Sequence, residues 1–177
     1  GGRESRADLS RRLREAAEAL GPTYIKLGQI ISSGEGIFPS ELVSEFIKCR
    51  DQVPAEGFHS VRDVVEQELG APLEAIFSSF DRTPIAAASI AQVHGAILRD
   101  GTVVVVKVQR PTVDELVHDD LRVMAWVAPM LVGRIPITAL ANPPALVEVF
   151  AHTISEELDF RVEADNMIDV ARVFAEL

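Results

Sequence analysis

Cysteine is almost missing from this sequence. Cys49 stands alone among 177 residues, so no internal disulfide can form and a reducing compartment, the cytoplasm, is the expected location. With no histidine assembled beside it, Cys49 reads as a small buried hydrophobe rather than a nucleophile. Positive charge is also scarce: 17 Lys and Arg against 27 Asp and Glu leave a net charge of −10. That balance excludes nucleic acid as a partner, because binding a polyanion takes a dense basic stripe that displaces its counterions. The basic run "RRLRE" at 11–15 reads as a solvated helix face. Long apolar runs are lacking too. The longest, "VMAWVAPMLVG" at 123–133, falls short of the ~20 residues that cross a bilayer and contains Pro129. The first ten residues, "GGRESRADLS", lack the apolar core of a secretory signal.

What is present suits one globular domain. Hydrophobic residues make up 47% and charged residues 25%, well away from the disordered regime. A chain of this length can bury roughly 70% of its unfolded surface. The first half reads as helical. Leu9, Leu13 and Leu20 mark an amphipathic helix from about Ser5 to Leu20. Gly21 stops it and Pro22 starts a second helix carrying "PTYIKLGQIISS". A third follows Pro39 through "SELVSEFIKCR", with Leu42, Val43, Phe46 and Ile47 as its buried stripe. After the loop "DQVPAEGF", Ser60 and Asp63 resemble a cap for "VRDVVEQEL", which Gly70 and Pro72 end, and "LEAIF" adds a short turn.

The character changes at "FDRTPIAAAS". "IAQVHGAIL" and "TVVVVKVQ" are β-rich runs joined by Arg99, Asp100 and Gly101, a hairpin signal. Pro111 ends the second run. A helix is expected from about Val113 to Leu131, then the connection "GRIPITALANPP". A last long helix opens at Asn142 and carries Leu146, Phe150, Ile154 and Leu158 on one face.

Lys107 closes a block of valines. Period-2 alternation puts Val103, Val105, Lys107 and Gln109 on one face of the strand and Val104, Val106 and Val108 on the other. If the all-valine face is the core face, Lys107 and Val105 stand on the wall of a cleft, and a partly desolvated ammonium there needs an anion. A strand lysine behind a small-residue loop is how protein kinases hold nucleotide phosphates, although a lysine at a strand end is more often a solvated edge residue. "SEELDFRVEADN" offers acids: Glu156, Glu157, Asp159, Glu163 and Asp165 are read as one helix, with Asp159 and Glu163 four apart. They are either a solvated face or partners for a cation. Glu163 is the first choice for Lys107, with Glu157 or Asp159 second. In "KLGQ", Lys26 and Gln29 project from one side of the second helix, and Gly28 permits close approach of another element.

"KLGQ" at 26–29, "AAASIAQVH" at 86–94, "VVVKVQRP" at 104–111 and "EELDFRVEADN" at 156–166 resemble, in content and order, the signature set of the UbiB family, also called ADCK-type atypical kinases. The resemblance spans Leu20 to Asn166. It implies an α+β fold: a protein-kinase-like N-lobe, a small antiparallel sheet with helices, over 81–177, preceded by a family-specific helical extension over 1–80. It further implies that Lys107 is the nucleotide lysine and Glu163 its helix partner, both catalytic. Ala86, Ala87, Ala88 and Ser89 replace the glycine-rich loop and, with Val105 and Lys107, contact ATP or ADP with Mg2+. Glu157 and Asp159 form the Glu-x-Asp motif, and Lys26, Gly28 and Gln29 cover the site beside those acids as an occluding element. Alanine restricts the positive φ and close approach that glycine allows, so the loop is stiffer and a restrained ATPase or small-molecule kinase is favoured over a protein kinase.

The catalytic-loop Asp and Asn and the metal-binding Asp of a kinase C-lobe do not occur before Leu177, so no metal ligand is assigned here. The expectation is therefore the N-terminal half of a UbiB-like ATP-dependent enzyme with its C-lobe absent, inactive by itself. Its family is linked to quinone and isoprenoid-lipid metabolism, with peripheral association at a lipid or membrane surface. Apolar surface left by a missing C-lobe would allow a dimer. The rival reading is a non-enzymatic helical module for protein interaction, in which hairpin and acidic helix dock a partner.

Overall fold

The computed structural model describes residues 2–49, 53–132 and 142–175. Three helices come first: α1 (Gly2–Leu20), α2 (Pro22–Ser32) and α3 (Ser40–Phe46). Gly21, at φ 111°, supplies the left-handed corner between α1 and α2, and Pro22 sits in the first turn, where its missing N–H costs nothing. Leu42, Val43 and Phe46 are buried as the stripe predicts. Ile47 is not: it continues the helical turn, its N–H bonded to the Val43 carbonyl, yet is 63% exposed.

Next come α4 (Phe58–Leu69), α5 (Leu73–Ile76) and a four-stranded antiparallel sheet. Ser60 lies inside α4 and is not its cap; Gly57 holds that position, with no side-chain hydrogen bond. Gly70 ends α4 in the left-handed conformation expected of it. The strands are β1 (Phe77–Phe80), β2 (Ala86–Ala87), β3 (Ala91–Leu98) and β4 (Val103–Gln109). β3 is the spine. β4 pairs along one edge, from Ala91↔Gln109 to Ile97↔Val103. Against the other edge lie β1, through Phe80↔Ala96, and β2, through Ala87↔Gln92. The sequence pattern does not announce β1, because "FSSF" is too short and half polar. The Asp-Gly turn forms as expected, with Gly101 at φ 89° and Asp100 Oδ1 accepting from the Thr102 N–H at 2.9 Å.

Three long helices follow: α6 (Val113–Leu131), α7 (Pro143–Leu158) and α8 (Phe160–Ala175). The expected single acidic helix is broken at Asp159 (φ −90°, ψ 91°). Most of "GRIPITALANPP", and the first residues of "DQVPAEGF", lie outside the described residues. No helix among the described residues is long and apolar enough to cross a membrane.

The apolar residues gather into three cores. One joins α1, α2 and α3 through Ala17, Ile25, Ile31, Leu42, Val43, Phe46 and the buried Cys49. One joins α6 and α7 with the start of β3, through Val117, Met124, Phe150, Ile154 and Ile90. One seals α4 and α5 against the sheet, through Val61, Val65, Leu73, Phe77, Ala96 and Val108. Tyr24 and Leu27 pack on both of the first two cores, so α2 is the element that welds the helical extension to the rest.

Candidate functional site

Alternation along β4 decides where Lys107 points. Val104, Val106 and Val108 face the α4 core, while Val103 and Val105 are 79% and 68% exposed on the opposite face. Lys107 stands on that second face, and its ammonium donates to the Glu163 carboxylate. The same ammonium lies 4.6 Å from the centroid of the Phe160 ring, a cation–π contact. One register step on, Gln109 donates to the Leu158 carbonyl at 3.3 Å and pins the strand to the α7–α8 break.

That break sorts the acids. Asp159 Oδ1 accepts from the Arg161 N–H at 3.1 Å, and the Arg161 guanidinium grips both carboxylate oxygens at 2.7 and 2.8 Å. The guanidinium first, and the backbone N–H second, hold the Asp159 carboxyl below the usual carboxylate range. Asp159 and Glu163 therefore do not share one helical face. Glu163 instead sits in the first turn of α8, where the helix dipole favours its charge.

A second lysine reaches the same space from α2. Lys26 Nζ is 2.7 Å from Glu157 Oε2. Oε2 is buried and receives no hydrogen bond of good direction, so the contact is one of charge. α2 is held in place by Thr23, fully buried, whose hydroxyl donates to Asp120 Oδ2 on α6 at 2.5 Å. The sequence reading singled out neither residue. Gly28 faces α3: a Cβ there would stand 2.5 Å from Phe46 Cδ1, so the glycine sets the distance between the two helices.

Lys26, Lys107, Glu156, Glu157 and Glu163 line one cavity of about 830 Å³. Residues Ala88 to Ala91 line it from the loop before β3, and α8 adds an apolar wall of Val162, Met167 and Val170. Not every expected residue is there. Ala86 and Ala87 form β2 and pair with β3, Val105 faces solvent, and Gly28, Gln29 and Asp159 are not among the lining residues. Among the described residues no three His, Cys, Asp or Glu side chains converge as a metal cage.

The profile of the ABC1 atypical kinase-like domain matches residues 48–177. The chain belongs to this family. A probable protein kinase UbiB from Aeromonas salmonicida is 39% identical over 175 residues, covering 97% of this chain and 32% of that protein. An uncharacterised chloroplastic aarF domain-containing protein kinase from Arabidopsis thaliana is 40% identical over 156 residues, covering 88% of this chain and 29% of its own length. Among solved structures, the complex of Rv3197 with erythromycin from Mycobacterium tuberculosis is similar at a TM-score of 0.55 and 34% identity, over 82% of this chain and 37% of that one. The chain thus spans about a third of the length of the curated relatives it matches. As an ABC1-family chain it has an α+β, protein-kinase-like N-lobe fold, with helices preceding a small antiparallel sheet.

Proposed function

We propose that the chain is the nucleotide-holding part of a UbiB-like atypical kinase or ATPase that acts in quinone or isoprenoid-lipid metabolism. The observation that carries this reading is the convergence of two lysines on one cavity, each paired to a different acid: Lys107 with Glu163 and Lys26 with Glu157. Two paired cations beside a small-residue loop suit a polyphosphate that brings its own divalent cation, since such a ligand can exchange with the carboxylates that hold them. ATP would supply a transferable phosphoryl group. Lys107 would hold its phosphates, Glu163 and Phe160 would orient Lys107, and the loop from Ala88 to Ser89 would cover them. Lys26 on α2 would act as an occluding side chain, keeping bulky substrates out while Glu157 holds it.

The described residues form no cluster of three metal-ligating side chains, and Mg2+ in this reading is carried chiefly by phosphate oxygens. Positioning and metal charge supply most of the rate in phosphoryl transfer. This 177-residue chain is therefore proposed to bind nucleotide without turning it over.

Calorimetric titration with ADP and ATP, each with Mg2+, tests the reading against the variants Lys107→Ala and Lys26→Ala. Saturable binding lost in Lys107→Ala is expected. Wild-type protein that binds neither nucleotide would end the proposal. Erythromycin, found with the mycobacterial neighbour, belongs in the same titration as a rival ligand. A second reading, a protein-docking module, is favoured by the α8 face carrying Met167, Val170, Val173 and Phe174 at 67%, 55%, 61% and 71% exposure.

A further inference from the structure

Arg110 closes the strand that carries Lys107, yet its side chain turns away from the cavity and is only 8% exposed. A buried guanidinium is costly unless its donors are met, and here they are. Nε donates to the Ala88 carbonyl at 2.9 Å and Nη1 to Glu56 Oε1 at 2.7 Å. Nη2 donates to the carbonyls of Pro54 at 2.8 Å and Val53 at 3.4 Å. One side chain thus joins the cavity-lining loop at Ala88 to the segment 53–56 that leads into α4.

The same segment is held from the other side. The Glu56 N–H donates to Gln92 Oε1 at 2.8 Å. Gln92 Nε2 lies 2.8 Å from His94 Nε2, and His94 Nδ1 lies 2.7 Å from the Asp81 carbonyl. That carbonyl can only accept, so Nδ1 carries the proton, Nε2 accepts, and the Gln92 amide is oriented with its oxygen toward Glu56. Gln92 and His94 are 2% and 0% exposed, so this chain of bonds is shielded from water.

A loop that lines a ligand site should be loose when it lacks its own ladder. This one has two backbone bonds, from the Ala88 N–H to the Ala91 carbonyl at 2.8 Å and from the Arg110 N–H to the Ile90 carbonyl at 3.0 Å, and the Ala88 carbonyl is held by the Arg110 guanidinium. We propose that Arg110 is a positioning residue: it fixes the height of the Ala88–Ile90 backbone above Lys107 and ties that height to the segment 53–56. The identity of the ligand as a nucleotide rests on the function proposed above; the clamp itself does not. Arginine is required because its planar fork reaches both the loop carbonyl and Glu56, whereas a lysine amine is a single point of donors.

Hydrogen exchange read by mass spectrometry on peptides covering 86–92, together with ADP·Mg2+ titration, tests this in Arg110→Lys and in the milder Glu56→Gln. Arg110→Lys keeps a cation facing Glu56 but gives up bonds to buried carbonyls, so the thermal midpoint should fall modestly with the fold retained. Exchange in 86–92 should rise by roughly tenfold and ADP affinity should fall by a similar factor. A merely structural arginine would instead raise exchange evenly in α4, β3 and β4. That even rise, or wild-type exchange at 86–92 in both folded variants, overturns the proposal. So does faster loop exchange with unchanged ADP affinity. If no variant and no wild-type sample binds ADP, the nucleotide reading fails, and the exchange pattern alone decides whether the clamp stands.

Discussion

Lys107 on β4 and Glu163 on α8, 56 residues apart in the chain, form an ion pair whose side chains stay 39% and 51% exposed. A pair this wet adds little to folding, since water competes for both charges. In the proposed function, the pair holds the ammonium where an anionic ligand would take it over. Glu163→Gln should therefore leave the urea midpoint nearly unchanged while weakening ATP binding by roughly tenfold. Titration calorimetry beside denaturant unfolding reads both. A protein that unfolds while keeping its ATP affinity would make the pair structural.

The Lys26–Glu157 pair should behave in the opposite way. Lys26 is 20% exposed and Glu157 Oε2 is buried, so removing the cation strands a carboxylate. Lys26→Met is expected to cost about 1–3 kcal/mol, with much of it returned by adding Glu157→Gln. A double-mutant cycle in urea measures the coupling, and additive losses would show that the two charges ignore each other.

Gly28 tests the helix crossing. An alanine gains about 1 kcal/mol in helix propensity but drives its methyl group into the buried Phe46 ring. Overpacking of that kind costs about 1–3 kcal/mol, so Gly28→Ala should lower the denaturation midpoint at constant slope. Gly28→Ala with Phe46→Leu should recover part of the loss. Gly28→Ala with a raised midpoint would mean that α2 and α3 separate freely.

Tyr24 gives a pH signature. Burial first, and the negative charge of Asp120 second, push its phenol above the ordinary tyrosine value. The folded protein thus favours the neutral phenol. The stability this contributes is fully present below about pH 10, the unfolded value, and is lost as pH rises through the higher folded value. Tyr24 is the single tyrosine of the chain, so tyrosinate absorbance reports it alone. Asp120→Asn should move the titration back toward the ordinary value; an unmoved curve would leave burial as its sole cause.

Local chemistry made much of this protein readable from its residues. Apolar spacing, Gly21–Pro22, the left-handed Gly70 and the Asp100–Gly101 turn act over a few residues, and α2, α6 and the β3–β4 hairpin follow from them; α1 is helical as expected, but its Leu9, Leu13 and Leu20 stay exposed and Ala17 is the apolar side chain it buries. The alternation that puts Lys107 opposite the valine core is likewise a property of the strand itself. What sequence spacing misjudged was local structure overridden by distant contacts. Asp159 breaks an otherwise helical run, capping α8 and gripping Arg161 while Leu158 is engaged by Gln109 from β4. β1 exists because β3 offers it an edge, not because "FSSF" prefers extension. The motifs already offered Glu163 to Lys107 and set Lys26 beside Glu157, but that these pairs form, and that Arg110 reaches 53–56, depended on segments more than 50 residues apart being brought within hydrogen-bond reach. Pattern rules carry no information at that range, because only the packing of three cores around α2 and the sheet sets those distances.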